Sequence, residues 1–331
     1  MIGADEVAPR FQRLQGRVAE TAPQPTLRES GLRLLAAVAY LTLMARLGTT
    51  AMSHWLLAAL WVVTPAARPA LRRWLEDVLP FVLFPALYDA LGLVRSAVAA
   101  GGVHTFFPYW FDKAAFGVGT GPARWSLNEV FAAHHWPAAD LVAGFAYLLY
   151  IHAVLGFAVY AALVDRSPAG RRRVRAIGWT FLAMNLGSYV IYLLAPVAPP
   201  WYVAAHGFGP VDVHAAPSAA ALVRWDALVG VHYFQRFYAQ ASDVFGAMPS
   251  MHCAYPMLLL LFSVELRRRA LTVALAVFQV VMCFSAVYLQ HHYVSDVLAG
   301  ILFAVAAYEL ERLLTGRARA PRPPAREARA T

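Results

Sequence analysis

The chain has 331 residues, of which 60% are hydrophobic and only 14% charged, with a mean hydropathy of +0.52. Soluble domains carry about 25% charged residues, so this composition cannot keep a globular surface wet and reads as that of a membrane protein. The net charge of +9 rests on 28 basic residues, all arginine except Lys113; they lie between apolar runs rather than on one soluble face, which argues against a nucleic-acid partner.

Met1 to Glu29 is long, polar and rich in Pro and Arg, so no signal peptide is expected and the first span should do its own targeting. Apolar runs then predict eight membrane helices: Leu32–Leu47, Ala51–Ala66, Asp77–Ala99, Ala139–Leu163, Val174–Val197, Met251–Leu266, Ala270–Leu289 and Tyr293–Leu314. The first two are shorter than the ~20 residues a perpendicular helix needs, which leaves a re-entrant pair as an alternative. Basic residues gather on the cytoplasmic side of membranes, and placing both termini inside puts all but Arg46, Arg95, Lys113, Arg124, Arg224 and Arg236 there. The sequence shows no internal repeat, and the Pro/Arg/Ala tail from Gly316 to Thr331 reads as disordered. Cys253 and Cys283 both fall in apolar sequence, so neither a disulfide framework nor a cysteine zinc site is expected.

Two outer segments are too long to be turns. Gly101–Pro137 carries Phe106, Phe107, Tyr109, Trp110 and Phe111 and then Gly and Pro breaks, a pattern for a segment in the headgroup layer. Ala198–Ser250 opens with Pro199-Pro200-Trp201-Tyr202, and its stretch from Ala221 through Asp226 to Tyr238 reads as an interfacial amphipathic helix. The plain alternative for these aromatics is an anchoring belt.

Ionisable residues inside a membrane zone cost at least ~2.5 kcal/mol unless paired or functional. Two stretches bring them there: Pro249-Ser250-Met251-His252 at the start of the sixth run, and Gln290-His291-His292-Tyr293-Val294-Ser295-Asp296 at the start of the eighth. With the cytoplasmic turn Arg267–Arg269 between spans six and seven, both stretches fall on the extracytoplasmic face. His292 and Asp296 are four residues apart, on one helix face, where a carboxylate can hold one imidazole nitrogen and leave the other basic. His252 follows a proline at a helix start, where free amides favour an anion such as phosphate, with Ser250 as N-cap or hydroxyl donor. His291 reads as an interfacial residue, and His134 and His135 as structural. Zinc held by His252, His291, His292 and Asp296 is one alternative, although adjacent histidines aim poorly at one metal and no HExxH occurs. A proton relay in a transporter is another, although these residues lie at span ends rather than at midplane.

Pro249-Ser250-Met251-His252 resembles the P-S-x-H motif of the type-2 phosphatidic acid phosphatase superfamily, and Ser285 through His292 to Asp296 resembles its S-R-x5-H-x3-D motif. The inositol phosphorylceramide synthase branch is similar in further stretches: Pro199-Pro200-Trp201-Tyr202, Arg224-Trp225-Asp226, Phe245 to His252, and Tyr288 to Tyr293. The likeness runs from about Trp74 to Glu311. The chain departs from the superfamily where Ala195-Pro196 replaces Arg-Pro and Ala286 replaces the arginine after Ser285, so two phosphate-binding cations are missing. Arg224 is the first candidate to replace them, ahead of Arg236 and Lys113.

The resemblance implies an all-α, polytopic membrane helical bundle with a six-helix core and two added N-terminal helices. Residues 1–30 would be a cytoplasmic tail, 31–75 the two added helices and a basic loop, 76–315 the catalytic membrane domain and 316–331 a cytoplasmic tail. It also implies a phosphotransferase that needs no metal or cofactor. His292 would be the nucleophile, Asp296 its orienting partner and His252 the acid and base, with Ser250, Arg224 and Tyr288 binding substrate. The implied partners are a phospholipid donor, such as phosphatidylinositol, and a lipid alcohol, such as ceramide. A lipid phosphate or polyprenyl pyrophosphate phosphatase is the alternative, since it uses the same residues with water as acceptor.

Overall fold

Local chemistry sets where several of the helices begin. In the computed structural model, which describes residues 24–49, 51–93 and 102–317, α1 (Leu27–Arg46) opens with a capping box: the Glu29 amide donates to Thr26 Oγ1 and the Thr26 amide to the Glu29 carboxylate. Most of the two predicted tails lies outside those residues. α2 (Met52–Val63) runs on into a single 3₁₀ turn, Thr64–Ala66. Prolines at the first helical position start α3 (Pro69–Leu91), α6 (Pro137–Val164), α7 (Pro168–Leu194) and the short α8 (Pro200–His206). Between α3 and α6 lie α4 (Phe106–Phe116) and α5 (Leu127–Ala133), the latter with a Ser126/Glu129 capping box. After α8 come α9 (Leu222–Val229), α10 (Tyr233–Tyr238), α11 (Met251–Glu265), α12 (Arg269–Tyr288) and α13 (Val294–Thr315).

The described residues are all-helical, with isolated bridges at His104–Val197, Val197–Gly246 and Val118–Trp125 and no strand. A helix stands at each of the eight apolar runs. Among the described residues α6, α7 and α12 are long and apolar enough to cross a membrane by length and composition. α1, α3 and α7 begin ahead of their apolar runs, and one predicted helix is divided. The helix expected over Asp77–Ala99 begins at Pro69, because its charged first turns are themselves helical: Arg72 Nε pairs with Glu76 Oε1 at 3.0 Å, four residues on. The single amphipathic helix expected after Ala221 is instead α9 and α10. Gly230 ends α9 in the left-handed region (φ 76°), and the Asp226 carboxylate accepts the Phe234 and Gln235 amides at 3.1 and 3.0 Å to start α10.

The core forms around α11. Leu258, Leu259 and Phe262 are fully buried there, with Phe157 of α6, Ile177 and Phe181 of α7 and Ala304 and Tyr308 of α13 in the same cluster. Phe81 and Phe84 bring α3 onto Phe181, with ring centroids 5.8 and 5.0 Å apart. A polar clasp closes the end of the bundle remote from the two histidine motifs, where Arg317 and Tyr308 both bond Glu265. At the other end α13 crosses the start of α11 at van der Waals distance. The Ser250 amide donates to the Asp296 carbonyl at 3.0 Å, and a Cβ on Gly300 would overlap the Ser250 backbone. Glycine is required here by closeness. Gly300→Ala should therefore lower stability by about 1–3 kcal/mol, read as thermal unfolding in detergent. Gly156→Ala, where a Cβ meets nothing within 4 Å, should not.

Candidate active site

Three helix ends meet at this end of the bundle: the starts of α11 and α13 and the end of α12. The crossing at Gly300 brings together histidines 40 residues apart in sequence. His252 Nδ1 lies 2.9 Å from His292 Nε2. His292 Nδ1 lies 2.8 Å from the Ala247 carbonyl, and a carbonyl only accepts, so Nδ1 carries the proton. Nε2 of His292 is then the nitrogen with the free electron pair, and His252 donates Nδ1–H to it. Asp296, fully buried, stands 3.7 Å from His292 Nδ1, and its Oδ2 accepts the Tyr293 amide at 2.8 Å. The carboxyl group thus caps α13 beside the ring, while the hydrogen bond that orients the ring goes to Ala247.

Aromatic side chains enclose the pair. The His252 ring packs against Tyr147 and Tyr150 of α6 at 4.4 and 4.6 Å between centroids, and Tyr238 Oη is 3.4 Å from His252 Nε2. His291 is not interfacial. It is buried beside the pair and stacks on Tyr238 at 4.7 Å. His134 and His135 are exposed at the start of α6. Ser250 is the N-cap residue of α11 by position only: its hydroxyl makes no capping bond and is buried without a hydrogen-bond partner. The first-turn amides of α11 also lack partners within the helix.

The expected substrate cations fare differently. Arg224 pairs with Asp140 of α6 rather than with its sequence neighbour Asp226, through Nε to Oδ1 at 2.7 Å. Its guanidinium lies 5.1 Å over the Tyr288 ring, and its Nη2 is buried without a partner. The Tyr288 hydroxyl is taken by the Trp136 backbone, accepting its amide at 3.0 Å. α9 is tied to the histidine loop by the Ala221 amide, which donates to the Leu289 carbonyl at 3.3 Å. Lys113 is held by Glu129 at 3.0 Å, and Arg236 is exposed on α10. Ala286, where the superfamily carries arginine, is fully buried among Tyr147, Leu222, Trp225 and Tyr288, in space that a guanidinium would have to share with a packed core. Among the described residues no three or more His, Cys, Asp or Glu side chains converge as metal ligands.

Sequence reasoning missed Asp112, Asn128, Asp140 and the Ala247 carbonyl. Asp112 and Asn128 had a weak signal, as polar residues within a segment of aromatic residues; the Ala247 carbonyl had none.

Residues 120–310 match the sequence profile of the PAP2 superfamily. A phosphoinositol dihydroceramide synthase of Bacteroides thetaiotaomicron is 31% identical over 258 residues, 77% of this chain and 82% of that protein. An inositol phosphorylceramide synthase of Candida albicans is 30% identical over 189 residues, and the catalytic subunit of that synthase from Schizosaccharomyces pombe is 31% identical over 144. These alignments cover 56% and 42% of this chain but only 39% and 34% of the fungal proteins. No solved structure matches the chain. The chain belongs to the PAP2 superfamily.

Burial, with the neighbouring His292 second, pushes the His291 imidazole down to about 3, so the ring is neutral at every ordinary pH. Below about 6.5 an unfolded chain binds a proton at this position that the folded chain refuses, so His291 contributes stability at neutral pH that is lost as pH falls. Between about pH 7 and pH 5, His291→Gln should therefore lose less thermal stability than the unaltered protein. Equal losses would mean that the folded ring takes up protons.

Proposed function

We propose that this membrane protein is a lipid phosphotransferase that moves a phosphoinositol headgroup from phosphatidylinositol to ceramide or a related lipid alcohol. The observation that carries this reading is the 2.9 Å contact of His252 Nδ1 with His292 Nε2, in which the second nitrogen is the unprotonated one. In the first step the phosphodiester enters between the two rings, which move apart. The His292 Nε2 electron pair attacks phosphorus, and the bond from phosphorus to the diacylglycerol oxygen breaks. His252, protonated on both nitrogens beside the anionic substrate, gives one proton to the departing alkoxide. In the second step His252 takes the proton of the acceptor hydroxyl. The resulting oxygen attacks phosphorus, the phosphorus–nitrogen bond breaks, and His292 is restored.

Charge on the equatorial oxygens would be met by the free first-turn amides of α11, the Ser250 hydroxyl and Arg224. Asp140 fixes one edge of the guanidinium, which leaves Nη2 for a phosphoryl oxygen, and Tyr288 supports Arg224 from below. The tyrosines around His252 limit water at the phosphohistidine, which favours transfer over hydrolysis. The arginine distribution supports eight spans, cytoplasmic termini and a site on the extracytoplasmic face, and the superfamily resemblance supports reading the last six spans as the core. The sequence relatives support the donor and acceptor classes.

Purified protein given phosphatidylinositol labelled in its phosphate, with and without ceramide, should yield labelled inositol phosphorylceramide only with the acceptor. Free inositol phosphate as the main product would make it a phosphatase. His292→Ala should abolish turnover, whereas Asp296→Ala should retain a residue of activity because Ala247 still orients the ring. Near-native turnover in folded His292→Ala would end the nucleophile assignment. Arg224→Lys should lower kcat/KM by about a hundredfold, since lysine cannot keep Asp140 and a phosphoryl oxygen on two edges at once. Arg236→Lys should change little, and an unchanged Arg224→Lys would mean that the phosphate is held elsewhere.

A further inference from the structure

The loop from Leu289 to Tyr293 must hold His292 still, yet its own backbone resists the shape it takes. Gln290 sits at φ 68°, in the left-handed region that residues other than glycine rarely adopt. Leu289, His291, His292 and Tyr293 are buried and the Trp201 amide donates to the Gln290 carbonyl at 3.0 Å, but packing is incomplete on one side, where Gln290 and Tyr293 line a cavity of about 260 Å³ with Tyr109, Ser126, Asn128 and Phe208. Something other than close-packed side chains must hold the loop on that side.

Two buried side chains from the outer segment do so. Asn128 Nδ2 donates to the Val287 carbonyl at 3.0 Å and to the His292 carbonyl at 3.1 Å, which ties the end of α12 to His292 itself. Both partners are acceptors, so only the NH₂ side of the amide can face them. In return, Gln290 Nε2 donates to the Asn128 backbone carbonyl at 2.9 Å, fixing the residue in the left-handed conformation. From α4, the fully buried Asp112 accepts the Ser295 amide at 2.8 Å and the Val294 amide at 3.2 Å, both in the first turn of α13. α4 turns Phe107, Trp110 and Phe111 outward on its other face, while Lys113 joins α4 to Glu129 of α5 at 3.0 Å. α4 and α5 therefore form one clasp over the loop, although they lie far from it in sequence.

We propose that Asn128 and Asp112 are positioning residues for phosphoryl transfer: they set the direction of His292 Nε2 against His252 by holding the loop from behind. This rests on the reading of His292 as nucleophile. The full-length protein is purified as Asn128→Asp, Asp112→Asn, His292→Ala and Tyr308→Phe. The last removes a hydrogen bond to Glu265 at the far end of the bundle and reports what lost stability alone does to turnover. In Asn128→Asp an oxygen faces two carbonyls, and kcat for phosphoinositol transfer should fall by about a hundredfold with KM within about twofold of the unaltered value. Asp112→Asn should lower kcat by about tenfold in the same way. A folded Asn128→Asp with kcat within about twofold of normal would overturn the proposal. So would a loss of kcat no greater than that of Tyr308→Phe at equal loss of Tm, or failure of both clasp variants to fold, either of which would make these residues general stabilisers. An active His292→Ala would instead overturn the nucleophile reading beneath it, whereas an inactive His292→Ala beside an active Asn128→Asp overturns the clasp alone.

Discussion

At the end of the bundle where α11 and α13 begin, one backbone amide, that of Ser250, reaches across and donates to the Asp296 carbonyl of the other helix at 3.0 Å. That bond is possible only because Gly300 has no Cβ, and it sets the distance between two helix N-termini. His252 and His292 project from those termini, so their 2.9 Å contact is a consequence of the crossing. Two helix dipoles also aim their positive ends at the same small volume, which favours an anion there before any side-chain charge is counted.

That backbone charge matters because side-chain charge is scarce. Ala195 and Ala286 stand where the superfamily places arginines, and Ala286 is walled in by the core of α6, α9 and α12. The outer loops offer Arg224 instead, carried on α9 and locked to Asp140 of α6. In the proposed reaction this exchanges two cations of the helical core for one cation on a loop helix, with the tyrosines of α6 and α10 covering the histidines. A site with fewer charges and more aromatic cover attracts less water, so the proposed phosphohistidine would live longer for a lipid hydroxyl to reach.

The eight helices were legible because apolar runs and proline starts are local signals, and the histidine motifs were legible because ionisable residues are rare in such runs. Span topology put both motifs on one face, but their direct contact was legible only through resemblance, since no local pattern reports a contact across 40 residues. Three features were hidden for a different reason. The hydrogen bond orienting His292 ends on the backbone of Ala247, and a carbonyl has no sequence signature. Asn128 and Asp112 act on backbone groups more than 150 positions away, so an aromatic, interfacial-looking segment conceals residues that face inward. Arg224 pairs with Asp140, 84 positions away, rather than with the nearby Asp226, which is occupied in starting α10 after the break at Gly230.

The most direct measurement is of the covalent state itself. Protein mixed with phosphatidylinositol labelled in its phosphate, without acceptor, is quenched in alkali within one turnover and digested, and the labelled peptide is sequenced by mass spectrometry. Transfer through His292 predicts alkali-stable, acid-labile label on the peptide containing His292, its absence in His292→Ala, and its discharge to lipid when ceramide is added before quenching. Full product formation with no labelled peptide at any time would contradict a covalent intermediate and leave direct transfer between the two lipids.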